Sequence, residues 1–319
     1  MFLGIEHSSK HMGFAVLDKG KIRKVTLLDR ERLAKTDENV LDILGLSRDS
    51  IDMVGLTYSA ADGINAITDL RKIKNLGQRN INHFGFEKPV GGGTKVYKDI
   101  EESGVRAVLI PGVHDGLPHM DPYFRHYSSL CTSDKTAITY YAFDHLQKRI
   151  PGAKNFITCS VGNTLMATVV RDGELRGGSL WLGGSYGMVD LRVLRLLAAK
   201  KLHLKDAFIY NSLFNRMKMD QEKAMKSVRF LDMVADSALQ ITFSLVPFAG
   251  KLDAVFLAGR YTKAEAPVNI AQLIRSRIEK ILDVPVVVGG ENPGAIGSAL
   301  IAEKVFNGAG EVLGIPVDA

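Results

Sequence analysis

The sequence has only two cysteines, Cys131 and Cys159, and they form no CxxC pair. A structural zinc site or a disulfide framework needs more thiols at closer spacing, so neither is expected and a reducing compartment fits. Long apolar runs are also missing: the most apolar stretch, residues 239–250, is interrupted by polar side chains and is too short to span a bilayer. The first residues lack the pattern of a secretory leader. A cytoplasmic protein without membrane contact is therefore expected.

A large excess of charge is missing as well, because 41 Lys and Arg stand against 35 Asp and Glu, for a net charge of +6. The basic residues form no stripe interleaved with aromatics, so no nucleic-acid partner is expected. Their excess is interpreted as a solvated surface that also attracts nucleotide phosphates. The nucleotide-binding fingerprints GxGxxG and GxxxxGK(S/T) are absent from the sequence. Rossmann and P-loop folds are therefore not favoured.

One pattern, a strand, a polar loop, a strand, a tight turn and a third strand, occurs twice in the chain. The turn of the first copy, Asp18-Lys19-Gly20, indicates a three-residue hairpin loop. The second copy starts about 150 residues later and turns at Asp172-Gly173. The predicted strands are residues 2–6, 11–17 and 21–28 in the first copy and 155–159, 164–170 and 175–178 in the second.

Elsewhere strands alternate with helices, which indicates α/β layers. Ser133 is predicted to cap a helix over residues 134–148, and one long helix is predicted over residues 221–245. The further predicted strands are residues 51–57, 106–110, 254–258 and 284–288, and the further predicted helices are 96–103, 189–200, 268–282 and 294–306.

Two duplicated hairpins, each followed by βα units, resemble the acetate kinase, sugar kinase, Hsp70 and actin superfamily. The resemblance implies an α/β protein of two ribonuclease H-like lobes that close on a nucleotide. The lobes are expected at residues 1–150 and 151–319, with the last helix packing back on the hinge. A generic doubly wound α/β protein is the alternative, but it predicts a glycine fingerprint after the first strand.

In this superfamily each hairpin turn places backbone N–H groups around phosphates, and an acidic side chain holds Mg²⁺ or its waters. In the first hairpin Glu6 stands where the superfamily has an Asp, Ser8 where it has a Gly, and Lys10 near its Thr. The resemblance implies that Glu6 is a catalytic residue and a metal ligand. It also implies phosphate contacts from Ser8, Ser9 and Lys10. A solvated turn is the alternative, since the glycines are missing.

The second hairpin resembles the second phosphate loop of acetate and butyrate kinases, where a Gly-Asn pair precedes small polar residues. Gly162, Asn163 and Thr164 match that pattern. Ser160 takes the position where actin-type members have an Asp and acetate kinases a His. Phosphate binding by this loop is therefore favoured over a plain turn.

A later segment resembles the adenosine-binding part of the superfamily, where a buried strand ends in glycines at the adenine. Gly259 ends such a predicted strand, and Arg260 replaces the next glycine. Arg260 is expected to stack on a base or to pair with a phosphate, with a surface salt bridge as the alternative. Glu291, which follows a pair of glycines, is with Glu6 a candidate metal ligand.

A glycine run at residues 91–95 is the candidate for a second ligand site, because it opens a predicted helix and the first N–H groups of a helix attract anions. With His114, this run is expected to hold an acidic substrate or a phosphate, and a flexible hairpin tip is the alternative. His114, His119 and His126 are spaced by five and seven residues, which fits no standard metal-ligand pair. A loop packed near the nucleotide is therefore favoured there over a metal site. The run consists of Gly91, Gly92, Gly93, Thr94 and Lys95.

Several runs are more distinctive than these motifs: LRKIKNLG at 70–77, GGGTKVYKDIEESG at 91–104, VLIPGVH at 108–114, DPYFR at 121–125, YS at 127–128 and GSALIA at 297–302. They resemble the archaeal methanogenesis marker protein 12 family, most densely over residues 70–178. The resemblance implies a methanogen protein with an actin-like ATPase domain that binds ATP or ADP with Mg²⁺.

The sequence departs from that family at both loops. The first loop of the family is like Asp-His-Gly-Thr-Thr, where this chain has Glu6 and only His7 is kept. The Asp of the second loop is Ser160 here. Both carboxylates that would govern Mg²⁺ are altered, which implies a divergent paralogue with weakened or lost hydrolysis.

Three functions are weighed. The first is an accessory or maturation factor that binds nucleotide, has weak or no ATPase activity and works with a protein of the methanogenic machinery. The second is a small-molecule phosphotransferase of the acetate or butyrate kinase type. The third is an interaction scaffold that binds nucleotide weakly or not at all. A homodimer is considered, but no sequence feature indicates an interface.

Overall fold

The structure is a computed structural model that describes residues 1–8, 11–58, 61–73, 92–127, 131–162, 164–181, 187, 189–203 and 206–319. Its contacts divide the chain into two compact units. The first comprises Met1–Gly152, Asp172–Gly177 and Asn292–Ala319, and the second Ala153–Arg171 and Gly178–Glu291. The lobe bounds predicted from the sequence, 1–150 and 151–319, stay a prediction.

The described strands are β1 (Phe2–His7), β2 (His11–Asp18), β3 (Lys21–Asp29), β4 (Met53–Thr57), β5 (Ile67–Asp69), β6 (Ala107–Ile110), β7 (Phe156–Val161), β8 (Leu165–Arg171), β9 (Glu174–Trp181), β10 (Ala254–Ala258), β11 (Val286–Val288), β12 (Glu311–Val312) and β13 (Ile315–Asp318). The described helices are α1 (Arg30–Lys35), α2 (Val40–Leu44), α3 (Gly92–Ser103), α4 (Pro122–Tyr127), α5 (Ser133–Arg149), α6 (Leu191–Ala198), α7 (Ala207–Tyr210), α8 (Leu213–Met217), α9 (Gln221–Met225), α10 (Val228–Leu245), α11 (Ile270–Glu279) and α12 (Pro293–Phe306).

In the first unit the described strands form one mixed sheet in the order β12-β13-β5-β6-β4-β1-β2-β3. Strands β1, β4 and β6 are parallel neighbours, whereas β1, β2 and β3 form an antiparallel meander. The carboxyl ends of β1, β4 and β6 therefore meet at one edge of the sheet, which we call the first edge.

Helix α12 covers one face of this sheet at unusually short range. A Cβ on Gly4 of β1 would lie 1.9 Å from the carbonyl oxygen of Ala295, and one on Gly55 of β4 would lie 2.1 Å from that of Ser298. Helix α5 packs on α12 in the same way, since a Cβ on Gly297 would lie 1.9 Å from the carbonyl oxygen of Ala137. Backbone therefore lies directly on backbone at these glycines, and a side chain at any of them would push the layers apart.

The opposite face of the same sheet carries an apolar core. Leu3 and Ile5 of β1 alternate with Gly4 and pack in a cluster that includes Val96 and Ile100 of α3. Successive side chains of a strand point to opposite faces, so the small residue meets α12 and its large neighbours meet the core under α1 to α3. The amphipathic α3 turns its apolar stripe to this core.

The second unit contains a smaller sheet in the order β11-β10-β7-β8-β9. Strands β7, β10 and β11 are parallel, and β8 is antiparallel to β7. Helix α10 packs on β7 and β8, and α11 packs on α10. The carboxyl ends of β7, β10 and β11 meet at a second edge.

The predicted repeat of two hairpins is confirmed, but the first turn differs from the prediction. Asp18 still pairs with Lys21, which leaves the two-residue loop Lys19-Gly20 with φ of 49° and 70°. Asp172-Gly173 has φ of 58° and 83°, so both copies use a two-residue turn of the I′ kind. The prediction of a three-residue loop is wrong because Asp18 belongs to the ladder.

Two helix predictions are corrected. Ser133 is the first residue of α5 and not its cap, which is Thr132, because the Ser133 N–H donates to the Asp62 carboxylate at 2.7 Å. The long helix predicted over 221–245 is two helices, since the Ser227 hydroxyl accepts from the N–H of Phe230 and starts α10 anew. No helix in the described part of the chain is long and apolar enough to cross a membrane.

The contact of α12 with the sheet makes a testable prediction about Gly4. Gly4→Ala should destabilise the fold by roughly 3 kcal/mol or more, because the new Cβ meets helix backbone that cannot rotate away. Gly13→Ala is the matched control, since its Cβ would lie at an ordinary 3.5 Å from the same helix. Urea unfolding of the two variants measures the difference. Equal midpoints would contradict the close packing.

Candidate functional site

Glu6 lies near the end of β1, where α12 begins. Its Oε2 accepts a hydrogen bond from the N–H of Ala295 at 3.2 Å. A Cβ on Gly294 would lie 2.5 Å from the Glu6 Cδ, so glycine is needed for the carboxylate to reach the helix start. Glu6 thus caps α12 from another element.

The environment raises the pKa of Glu6 from 4.5 to about 7. Burial is the main cause and the Asp134 carboxylate adds to it, while Lys135 and the Ala295 N–H act in the opposite direction. A carboxylate with a pKa near neutrality accepts a proton efficiently at physiological pH. Glu6, predicted as the catalytic residue, therefore has the properties of a general base.

Asp62 caps a second helix at the same edge. Its Oδ1 accepts from the N–H of Ser133 at 2.7 Å, and burial raises its pKa to about 7 against the lowering effect of that hydrogen bond. The negative charge of Asp134 raises the pKa further. Two carboxylates at this edge thus titrate near neutral pH.

Asp134 and Lys135 form a buried ion pair at the start of α5. Lys135 Nζ lies 2.5 Å from Asp134 Oδ2, and the Thr132 hydroxyl is hydrogen-bonded to the other carboxylate oxygen. Burial lowers the pKa of Lys135, but the carboxylates of Asp134 and Glu6 raise it by more, so its pKa lies above the ordinary value. The ammonium group remains protonated beside Glu6, where it can stabilise developing negative charge.

His7 links the first edge to the glycine run of α3. A Cβ on Gly93 would lie 2.3 Å from the His7 Nε2, and the Tyr58 hydroxyl lies 3.0 Å from that of Thr94. Burial and then the Arg30 guanidinium lower the pKa of His7 to about 4, so the imidazole is neutral at pH 7. Gly93 and Thr94 therefore lie at the first edge. Gly93 contacts His7, the residue that follows Glu6 in β1.

The remaining members of the predicted second ligand site make contacts of their own. A Cβ on Gly92 would lie 2.5 Å from the carbonyl oxygen of Arg30, so this glycine serves packing. Lys95 Nζ lies 2.8 Å from both oxygens of Asp99 in the next turn of α3. Their role in ligand binding stays a prediction.

His114 is buried, and both of its ring nitrogens have partners. Nδ1 accepts from the N–H of Gly116 at 3.0 Å, so Nε2 donates to the carbonyl oxygen of Ile64 at 2.8 Å. These bonds hold two loops of the first unit together. A ligand contact from His114 stays a prediction, and the bonded nitrogens favour a role in loop structure.

At the second edge, Ser160 lies near the end of β7, Gly162 follows that strand and Gly259 follows β10. Ser160 is buried and pairs with Ala258 across the parallel strands. Gly259 has φ of 99°, and a Cβ on it would lie 2.5 Å from the carbonyl oxygen of Val161. Its position is therefore explained by packing and by its backbone conformation.

Gly162 differs from Gly259, because no described residue beyond its chain neighbours crowds it. Its N–H donates to the carbonyl oxygen of Thr164 at 3.2 Å, and a Cβ would have only that oxygen nearby, at 3.7 Å. Its φ lies outside the left-handed region, so neither packing nor conformation requires glycine here. A backbone left uncovered at the end of a strand suits the close approach of a phosphate.

The two charged residues predicted beside this edge are exposed. The Arg260 guanidinium lies 5.8 Å from the ring centroid of Tyr261, which leaves it able to reach an anion. Glu291 follows β11 on the surface of the second unit, whereas Glu6 belongs to the first unit. Their joint metal site stays a prediction.

Oxygen donors at the first edge suit a hard cation such as Mg²⁺. Among the described residues, however, no three His, Cys, Asp or Glu side chains are grouped to hold a metal ion. Mg²⁺ needs only one or two carboxylates when phosphates and water complete its shell. Glu6 could therefore hold a Mg²⁺ that arrives with a nucleotide, and it would not hold one alone.

Four predicted site residues, Ser9, Lys10, Gly91 and Asn163, lie outside the described residues. Ser8 is described, and its hydroxyl donates to the carbonyl oxygen of His11 at 2.8 Å within the hairpin.

Sequence reasoning missed Asp62, Asp134 and Lys135. Asp62 lies in a polar segment after a predicted strand, at the end where parallel strands place functional groups, and this was the available signal. Asp134 and Lys135 lie in the first turn of a helix that the sequence predicts. Nothing local in the sequence shows that Asp62 contacts a helix 71 residues further along the chain.

No family model matches the chain. A UPF0285 protein of Methanococcus maripaludis is 31% identical over 337 residues, which cover 99% of this chain and 99% of the relative. A UPF0285 protein of Methanocaldococcus jannaschii is 31% identical over 344 residues, covering 99% of this chain and 98% of the relative. Similarity thus extends over the whole length of both relatives.

Two solved structures resemble the fold. Acetate kinase of Porphyromonas gingivalis matches with a TM-score of 0.60 at 13% identity, over 95% of this chain and 99% of that chain. A propionate kinase of Francisella tularensis gives the same TM-score, identity and coverage. These matches confirm the predicted fold class, because the chain shares the α/β fold of these two kinases.

The raised pKa of Glu6 predicts a pH-dependent stability difference between the wild type and Glu6→Gln. The unfolded carboxyl loses its proton near pH 4.5 but the folded one only near 7, so wild-type stability falls relative to the variant as pH rises between these values. The difference should reach roughly 3 kcal/mol at most.

Urea unfolding at pH 4.5, 6 and 8 measures this difference, with the ordinary pKa and the raised value as the bounds of the window. Glu102→Gln on the exposed side of α3 controls for the loss of one negative charge. Parallel curves for the wild type and Glu6→Gln would contradict the raised pKa.

Proposed function

The chain belongs to the UPF0285 family, and we propose that it is a nucleotide-binding accessory factor of methanogens that hydrolyses ATP slowly. The resemblance to the methanogenesis marker protein 12 family supports the link to the methanogenic machinery. The proposal rests chiefly on one observation, the uncovered backbone at Gly162.

The second edge supplies the phosphate-binding part of the proposal. No described side chain covers the Gly162 backbone, so a phosphate can approach the loop there, while the Gly162 N–H itself donates to the carbonyl oxygen of Thr164. The exposed Arg260 adds positive charge after the neighbouring strand. Lys263 donates to the carbonyl oxygen of Gly289 at 2.9 Å and so joins the segments after β10 and β11. Backbone N–H groups and a guanidinium are the usual partners of nucleotide phosphates.

The first edge supplies the proton-handling part. Glu6, with a pKa of about 7, would take the proton of an attacking water, and the Lys135 ammonium would offset the negative charge that develops. When bound with nucleotide, Mg²⁺ would neutralise phosphate charge. Glu6 is the residue of this chain that we expect to order the water shell of the Mg²⁺ ion.

Slow turnover is expected because the carboxylates of Glu6 and Asp134 already have partners within the protein. Glu6 is engaged with Ala295 at the start of α12, and Asp134 with Lys135. At the second edge Ser160 offers a hydroxyl where related loops carry an acidic or imidazole side chain, so no charge is supplied there. The protein is therefore expected to bind nucleotide and to hydrolyse it slowly.

A phosphotransferase is the second candidate, and the pKa of Glu6 bears on its acceptor. A carboxylic acid acceptor is already ionised at pH 7 and needs no base, whereas an alcohol does. If the protein is a kinase, an acceptor with a hydroxyl group uses Glu6 better than acetate does. Turnover that requires added acetate would favour the acetate-kinase type instead.

Calorimetric titration with Mg-ATP and Mg-ADP tests nucleotide binding. Gly162→Asp should abolish binding, because its carboxylate would fill the phosphate position with negative charge. Gly162→Ala is the matched control and should bind with little change, since there is room for a Cβ at this position. No binding by the wild type at millimolar nucleotide would leave the scaffold function in its place.

Phosphate release tests the role assigned to Glu6. Glu6→Gln should keep nucleotide binding and lower the hydrolysis rate by about 100-fold or more, the usual effect of losing a general base. The wild-type rate should rise with pH through an apparent pKa near 7. An unchanged rate in Glu6→Gln, with Glu102→Gln as the control, would remove Glu6 from the chemistry.

A further inference from the structure

Helices α6 and α7 of the second unit expose an unusual number of large apolar side chains. Leu191 and Leu194 of α6 are 61% and 51% exposed, and Ile209 and Tyr210 of α7 are 47% and 41% exposed. Within α6 the buried residue is Val193, so this strongly amphipathic helix leaves two of its leucines in solvent. We call these four residues the α6–α7 surface.

The two helices meet, so these side chains belong to one surface. Asp190, the cap of α6, is hydrogen-bonded to Arg192 and to Asn211, the cap that ends α7. Tyr210 of α7 is also one of the groups that raise the pKa of Arg192, after Asp190. A Cβ on Gly187 would lie 2.1 Å from the carbonyl carbon of Asn211. Several large apolar side chains exposed on two neighbouring helices are typical of an interaction site.

The segment that carries the α6–α7 surface is positively charged. Residues 190–226 contain nine Lys or Arg against four Asp or Glu, a net charge of +5, whereas the whole chain carries +6. Arg195 and Lys200 are exposed on α6 and directly after it. The excess charge of the protein is thus concentrated in this segment, and a second copy of the chain docking here face to face would be repelled.

We propose that the α6–α7 surface docks an acidic amphipathic segment of a partner protein, with leucine-like side chains on one face and carboxylates around them. The exposed leucines and Tyr210 supply the apolar anchor, and Arg195 and Lys200 supply the rim. None of these residues is among those assigned to the proposed nucleotide chemistry, so the docking proposal does not rest on nucleotide binding.

Other anionic occupants fit these residues less well. Helices that lie in a membrane interface present a long continuous apolar face, whereas α6 has eight residues and the surface is shared with a separate four-residue helix. Nucleic acids are bound through phosphates and base stacking, which would leave Leu191 and Leu194 unused. A protein segment uses both the apolar and the charged groups.

A displayed library of random helical peptides, selected against the full-length chain, tests the proposal. Selected peptides should carry net negative charge and apolar residues at helical spacing. Labelled peptides are then titrated by fluorescence anisotropy against the wild type and the double variant Leu191→Ser/Leu194→Ser. Affinity should fall by about tenfold or more in the double variant.

The matched control is Ile22→Ser/Leu27→Ser, which removes side chains that are 50% and 54% exposed on β3 of the first unit and should leave affinity unchanged. Arg195→Glu/Lys200→Glu should weaken binding, and added salt should do the same. Circular dichroism confirms that each variant is folded.

Four results would overturn the proposal. The first two are failure to select any peptide and selection of peptides without excess acidic residues. The third is that Leu191→Ser/Leu194→Ser binds the peptides as tightly as the wild type, and the fourth is that Ile22→Ser/Leu27→Ser loses as much affinity as the leucine variant. Vesicles of anionic phospholipid, single-stranded RNA and sedimentation of the chain alone are run in parallel. Binding or self-association that needs Leu191 and Leu194 in one of these assays, without peptide binding, would assign the surface to a membrane, a nucleic acid or a second copy.

Discussion

The close packing of α12 on Gly4 and Gly55 is the contact on which the first unit depends. Because backbone meets backbone there, the start of α12 is held at the end of β1, and its N–H groups face the Glu6 carboxylate. A larger residue at Gly4 would move the helix and with it the partner of Glu6. Packing in the middle of the sheet thus determines the electrostatics at its edge.

Carboxylates from distant segments cap several helices of this unit. Glu6 accepts from α12, Asp62 from α5, and Asp99 from the N–H of Val40 at the start of α2, at 2.9 Å. Such caps satisfy helix N–H groups, but the burial they require favours the protonated form of Glu6 and Asp62. The same arrangement therefore stabilises helix ends and produces two groups that exchange protons near neutral pH.

Features that depend on neighbouring residues could be predicted from the sequence, and contacts between distant residues could not. The two hairpins and the strands that lead to Glu6 and Ser160 follow from local alternation and turn residues. Ser133 has the composition of a helix cap, yet Asp62 takes that role from another loop. Ser227 interrupts a continuous apolar periodicity because its hydroxyl caps a new helix, which periodicity alone does not reveal.

The glycines at the second edge show how packing and function can be separated. Gly259 needs to be glycine for two reasons, its φ of 99° and the Val161 backbone beside it, so its presence says nothing about a ligand. Gly162 has neither reason, since among the described residues a Cβ there would have only one carbonyl oxygen within 4 Å, and its φ lies outside the left-handed region. Ala at this position would even reduce the entropy of the unfolded chain. Gly162, at the end of a central parallel strand, is therefore the glycine on which the proposed phosphate site rests.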